Sequence, residues 1–117
     1  MANKTYIVKI ARQAHEQMQE IVKYIVSELK APRAALRLLG EMEGAISSLS
    51  QFPQRIALTE EEPWHSHGIH KMPVKNFLIY FWIDEETGKV QVTAVIYGRR
   101  DQMKQLSQMD GEQAYVN

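Results

Sequence analysis

Val74-Lys75-Asn76-Phe77-Leu78-Ile79-Tyr80-Phe81-Trp82-Ile83 is apolar at both parities from Phe77 onward, and rich in aromatic and β-branched side chains. A strand with one wet face alternates, so this run predicts a central strand covered by other elements, with a helical layer on at least one side. It is far too short to span a bilayer. Asp84-Glu85-Glu86-Thr87-Gly88 follows as a polar turn, with glycine where a left-handed residue is wanted. Val90, Val92, Ala94 and Ile96 then alternate with Gln91, Thr93, Val95 and Tyr97, which predicts an antiparallel partner strand. Residues 68–74 read as a further extended segment leading into the central one.

Upstream the period changes twice. In residues 5–10, Tyr6, Val8 and Ile10 share one face and Ile7 and Lys9 the other, the pattern of a short strand. Ala14, Met18, Ile21, Val22, Ile25 and Leu29 form a helical stripe. Ala31-Pro32 interrupts it, because the residue before proline avoids helical dihedrals while proline suits a first helical turn. A second stripe follows in Ala35, Leu38, Leu39, Met42, Ile46 and Leu49, and so short a break predicts an antiparallel helical hairpin. Gly40 and Gly44 fall inside the second helix, where close approach of a neighbouring element would explain them and a kink is the alternative. Residues 50–67, with Pro53, Pro63 and Glu60-Glu61-Glu62, read as a loop. The fold class expected is α+β in the order β-α-α-β-β-β, a helical hairpin on a small sheet dominated by antiparallel pairs. Met103 and Leu106 allow a short C-terminal helix. Residues 1–109 are expected to form one domain and 110–117 a flexible tail.

The chain has 117 residues, 44% apolar and 24% charged, within the globular range and long enough for one real core. With no cysteine there is no disulfide scaffold, thiolate zinc finger or cysteine nucleophile. The N-terminus lacks a signal-peptide core, and a soluble, cytoplasmic protein without a membrane role is expected. Net charge is zero but uneven. Residues 1–37 carry Lys4, Lys9, Arg12, Lys23, Lys30, Arg33 and Arg37 against three glutamates, residues 38–62 are acidic, and Arg99, Arg100 and Lys104 form a second basic cluster. That argues against a general nucleic-acid coat and leaves room for a local basic face.

The order of elements and several strings resemble the RelE/ParE superfamily of bacterial type II toxins. The strings are Tyr6-Ile7-Val8, Ile21-Val22-Lys23-Tyr24-Ile25, the helix close Ile46-Ser47-Ser48-Leu49-Ser50-Gln51-Phe52-Pro53, and Val74-Lys75-Asn76-Phe77-Leu78-Ile79-Tyr80-Phe81 with its later Tyr97-Gly98-Arg99-Arg100-Asp101. The resemblance covers about residues 5 to 105. It implies the toxic half of a toxin–antitoxin pair, held inactive by a cognate antitoxin, and two branches with different targets. One poisons DNA gyrase by binding; the other cleaves mRNA on the ribosome.

Cleavage by a 2′-OH needs a base, an acid and cations at the phosphate. The ribosome-dependent members resemble one another in an arginine at the position of Phe77 and a tyrosine near Gln105 and Leu106, while Arg100 matches their late-strand arginine. The ParE-like, gyrase-binding branch therefore fits better, with Arg99, Arg100, Lys71 and Lys75 as candidate contacts to target or antitoxin. The nuclease alternative would use His70 or His67 for proton transfer and Arg100 for phosphate charge. His65, His67 and His70 taken singly read as loop or sheet residues with local polar contacts. As metal ligands they would need a turn at Gly68 to converge, so no metal and no cofactor is expected. Asp84, Glu85 and Glu86 read as solvated turn acids, and Trp64, Phe77, Tyr80, Phe81, Trp82 and Tyr97 as core rather than a base-stacking platform.

Overall fold

The computed structural model describes residues 4–98. Its elements are β1 (Ile7–Ile10), α1 (Arg12–Ser27), α2 (Pro32–Ser47), β2 (His70–Val74), β3 (Phe77–Asp84) and β4 (Lys89–Tyr97), with 3₁₀ turns at Ser48–Ser50 and Pro53–Arg55. Ala11 makes the switch from strand to helix. Its extended backbone lets its N–H join the sheet at Val92 O (2.8 Å), while its carbonyl accepts the first helical bond from His15. The hairpin connection turns at Lys30, which is left-handed (φ 56°), and Pro32 opens α2 where its missing N–H costs nothing.

The second helical stripe holds: Ala35, Leu38, Met42 and Ile46 are buried, and Leu49 is buried in the turn beyond. The first holds for half its length. Ala14 and Met18 are buried and Ile21 and Ile25 pack on the core edge, but Leu29 lies past the end of α1 and is 55% exposed. Gly40 and Gly44 differ from expectation. A Cβ at either would meet nothing within 4 Å, so no neighbour approaches closely, and α2 runs unbroken through both. Alanine at either position should therefore stabilise the fold, by about 0.5–1 kcal/mol each, through reduced backbone entropy of the unfolded chain. A urea titration showing a raised midpoint at constant slope checks this.

The sheet order is β1-β4-β3-β2, with β1 parallel to β4 and the other pairs antiparallel. β3 has both faces covered, which accounts for its unbroken apolar run. Ile79 and Phe81 face the helices with Met18, Met42, Leu49 and Val92, while Tyr80, Leu78 and Trp82 face a second cluster built on Trp64 and Ile69. The expected alternation of β4 is broken by a bulge. Tyr80 pairs with Ala94 and Phe81 with Val92, so Thr93 is skipped, and its hydroxyl donates to Tyr80 O (3.2 Å). The bulge sets Val95 on the helical face with Val90 and Val92, and Ala94 and Ile96 on the other. The outer edge of β2 is covered by the preceding loop: Thr59 N–H donates to Ile69 O (2.8 Å) and Lys71 N–H to Ala57 O (3.1 Å). The C-terminal helix, the tail, Arg99 and Arg100 lie outside the described residues. No helix among the described residues is long and apolar enough to cross a membrane.

Candidate functional site

Strand geometry separates the residues that the sequence placed together. His70, Met72 and Val74 point to the helical side of β2, whereas Lys71 and Pro73 point to the other. The His70 ring stacks on Phe81, its register partner, at 4.8 Å and an interplanar angle of 6°. His70 Nδ1 lies 2.6 Å from Ile56 O. Only a protonated nitrogen bonds a carbonyl, so Nδ1 is the donor and the ring is fixed as a packing and tethering group. His65 Nδ1 bonds Thr59 O (2.9 Å) and His67 Nδ1 bonds Pro63 O (2.7 Å). The loop does turn at Gly68 (φ 78°), yet the three imidazoles serve three separate carbonyls. Among the described residues no three His, Asp or Glu side chains come close enough to hold a metal ion.

The lysines are likewise dispersed. Lys71 pairs with Glu61 (3.7 Å), whose carboxylate also accepts a hydrogen bond from the Thr59 hydroxyl. The Thr59 bond, and then the Lys71 charge, outweigh partial burial and hold the Glu61 carboxyl below its ordinary value. The resulting stabilisation is present above the unfolded glutamate pKa and is lost as pH falls through the lowered one. Lys75 sits in the β2–β3 turn with φ 56°, its Nζ 3.6 Å from Glu41 on α2. Both lysines are held by glutamates, on different faces.

Two features were not read from the sequence. Glu85 is not a merely solvated acid: it accepts from the Tyr6 hydroxyl (2.8 Å) and Gln54 Nε2 (2.8 Å), and Lys4 Nζ lies 3.5 Å away. The Gln54 and Tyr6 bonds hold its carboxyl below the usual range, and the cluster ties the β3–β4 turn to the residues just before β1 and to the 3₁₀ turn at Pro53–Arg55. The second is a groove of about 650 Å³ between the C-terminal half of α1 and the far end of the sheet. Ile21, Tyr24, Ile25 and Leu29 form one wall; Asn76, Phe77 and Tyr97 form the other. The Phe77 and Tyr97 rings meet edge to face at 5.5 Å. Phe77 and Tyr97 are thus groove walls as well as packing residues, and Leu29, read as helix core, is a surface residue of the groove.

A family model described as the ParE toxin of the type II toxin-antitoxin system parDE matches residues 8–102. The chain belongs to this family of toxins. Its fold is similar to the structure titled as the chromosomal ParDE system from P. aeruginosa, with a TM-score of 0.67 at 18% identity, covering 82% of this chain and 99% of that one. It is also similar to the RelBE2 toxin-antitoxin complex from Mycobacterium tuberculosis, with a TM-score of 0.56 at 19% identity over 80% of this chain and 98% of the other. A mutant RelE toxin from E. coli in the free state gives 0.58 at 11% identity over 86% and 92%. No curated protein matches by sequence. At these identities the structural likenesses establish the fold, while the family match establishes a ParE-type toxin of a type II toxin–antitoxin system. In this ParE-family toxin the match starts inside β1, spans both helices and β2 to β4, and runs on through Arg99 and Arg100.

Proposed function

We propose that this toxin arrests growth by binding DNA gyrase, without catalysis of its own, and that a cognate antitoxin neutralises it in the cytoplasm. Residues 1–109 would form the toxin domain. The observation that carries the proposal is Phe77. Where the resemblance places arginine in the RNA-cleaving branch, this chain has a phenyl ring packed against Tyr97 in an apolar groove, which can neither transfer a proton nor stabilise a phosphate. The solved relatives, one from a ParDE system and one a RelBE2 toxin-antitoxin complex, support an antitoxin partner.

The alternative, ribosome-dependent mRNA cleavage by His70 and Arg100, has weaker support, since the His70 ring lies flat on Phe81 and its Nδ1 is committed to a carbonyl. Loss of a general acid or base would cost about 100-fold or more in rate. We expect His65→Ala, His67→Ala and His70→Asn, which keeps an amide donor where Nδ1 sits, each to leave growth arrest undiminished at equal protein level. Induced expression with the DNA-damage response and transcript ends read in one culture tests the proposal. Filamentation with a damage response and intact transcripts is the expected result. Rapid translation arrest with cuts inside ribosome-covered mRNA would overturn it.

A further inference from the structure

The loop between the Pro53–Arg55 turn and β2 is bonded chiefly to itself. At its base Thr59 N–H donates to Ile69 O (2.8 Å), so residues 60–68 leave and rejoin the sheet at one place. Within it, His65 N–H donates to Glu61 O (2.8 Å), Gly68 N–H to His65 O (3.0 Å) and Ile69 N–H to Trp64 O (3.1 Å), while His65 Nδ1 returns to Thr59 O (2.9 Å). These bonds run inside the loop or to its own base and survive a rotation about that base. A segment built this way moves as one cooperative unit.

Its hold on the sheet is of another kind. Trp64 lies in one apolar cluster with Leu78, Tyr80 and Trp82 of β3. Glu61, which accepts from the Thr59 hydroxyl, faces Lys71 Nζ on β2 at 3.7 Å, and both side chains are partly exposed. The closed position carries a cost. Trp64 Nε1 and Trp82 Nε1 are both buried in this cluster with no hydrogen-bond partner among the described residues, whereas no buried side chain of the helical layer is left in that state. An apolar contact that buries two unmet donors is weaker than its area implies, and an ion pair at the edge of solvent adds a small, salt-sensitive part.

We propose that residues 60–68 form a strap that lifts from β3 as a unit in a minor native state, turning about the Thr59–Ile69 base, with the Lys71–Glu61 pair as its latch. Lifting withdraws the Trp64 ring, returns both indole N–H groups to water and bares the stripe Leu78, Tyr80 and Trp82. Ile69 stays behind, because its carbonyl belongs to the base. The sheet face opposite the helices is therefore gated, and Lys71 acts on the chain's own loop. None of this depends on what the toxin targets.

Trp64 and Trp82 are the chain's only tryptophans, so each indole proton gives its own NMR signal, assigned with Trp64→Phe. The test is hydrogen exchange of these two protons in the full-length chain, beside the backbone amides of β3, at low urea concentrations. Both indole protons are expected to share one protection factor, at least about 10-fold below that of the β3 amides and almost independent of urea, since a local opening exposes little surface. Raising salt should lower that protection in the parent. Lys71→Met should lower it by about 2–5-fold and abolish the salt effect, while its β3 amides keep their steep urea dependence and so report an intact fold. Indole protection equal to that of the β3 amides, with the same urea slope, would mean that the strap parts only on global unfolding and would overturn the proposal. Exchange of one indole without the other overturns it too, as does exchange that Lys71→Met leaves unmoved.

Discussion

Phe81→Ala is expected to remove about 3–5 kcal/mol of folding stability, the loss typical of a buried aromatic truncated in a close-packed core. Phe81 is fully buried on the helical face of β3, stacks on His70, and pairs with Val92 beside the bulge at Thr93. The bulge and the sheet pairing on both sides limit collapse around the vacancy, which places the cost toward the upper part of that range. Total stability for a domain of this size is about 5–15 kcal/mol, so the variant should be only marginally folded. In urea, where small proteins show slopes of about 1–3 kcal/mol per molar, the midpoint should fall by roughly 2 M. Phe81→Leu keeps most of the volume and should cost far less. Equal losses for the two variants would mean that the aromatic volume is not what fills the site.

Trp64→Ala should destabilise nearly as much, for a different reason. Trp64 is 5% exposed although it lies in the loop before β2, and with Ile69 it covers the face of β3 that the helices do not reach. Its removal would bare Tyr80, Leu78 and Trp82 to water, at about 25 cal/mol per Å² of apolar surface. About 3–5 kcal/mol is expected from the truncation itself. The indole carries an opposing term. Its Nε1 is buried with no hydrogen-bond partner among the described residues, a state that costs about 1–3 kcal/mol. Trp64→Phe sheds that donor while keeping a ring, and should therefore be close to neutral. Urea titration of the pair checks both signs, and a Trp64→Phe loss as large as that of Trp64→Ala would show that a phenyl ring does not cover this face of β3.

Much of this architecture is legible in the sequence because the core is sorted by period. The stripe Ala35, Leu38, Met42, Ile46 has one solution, a helix with that face inward, and the both-sided apolar run 77–83 needs two covering layers. The identity of the second layer was not legible. Trp64 and Ile69 sit in a loop without periodicity, and nothing local distinguishes a loop tryptophan that packs from one that is exposed. The bulge was hidden for a related reason: Thr93 looks like one more outward residue of an alternating strand, and only the pairing with Tyr80 and Phe81 shows the face change. The same limit governs the site. Proximity in sequence grouped His65, His67 and His70, whereas backbone turns gave each imidazole its own carbonyl. The cluster of Tyr6, Gln54 and Glu85 spans 79 residues and leaves no local trace. Phe77 was legible as a missing arginine only through the family resemblance; the groove it lines emerges from the end of α1 meeting the ends of β3 and β4.

The central claim is that this toxin acts by binding gyrase and not by cutting RNA. The most direct measurement is DNA supercoiling by purified gyrase with the purified full-length chain in micromolar excess, with ribosome-bound mRNA incubated in parallel. Inhibited supercoiling with intact mRNA is the predicted result. Unaffected supercoiling with cleaved mRNA would contradict it and make His70 and Arg100 the residues to examine.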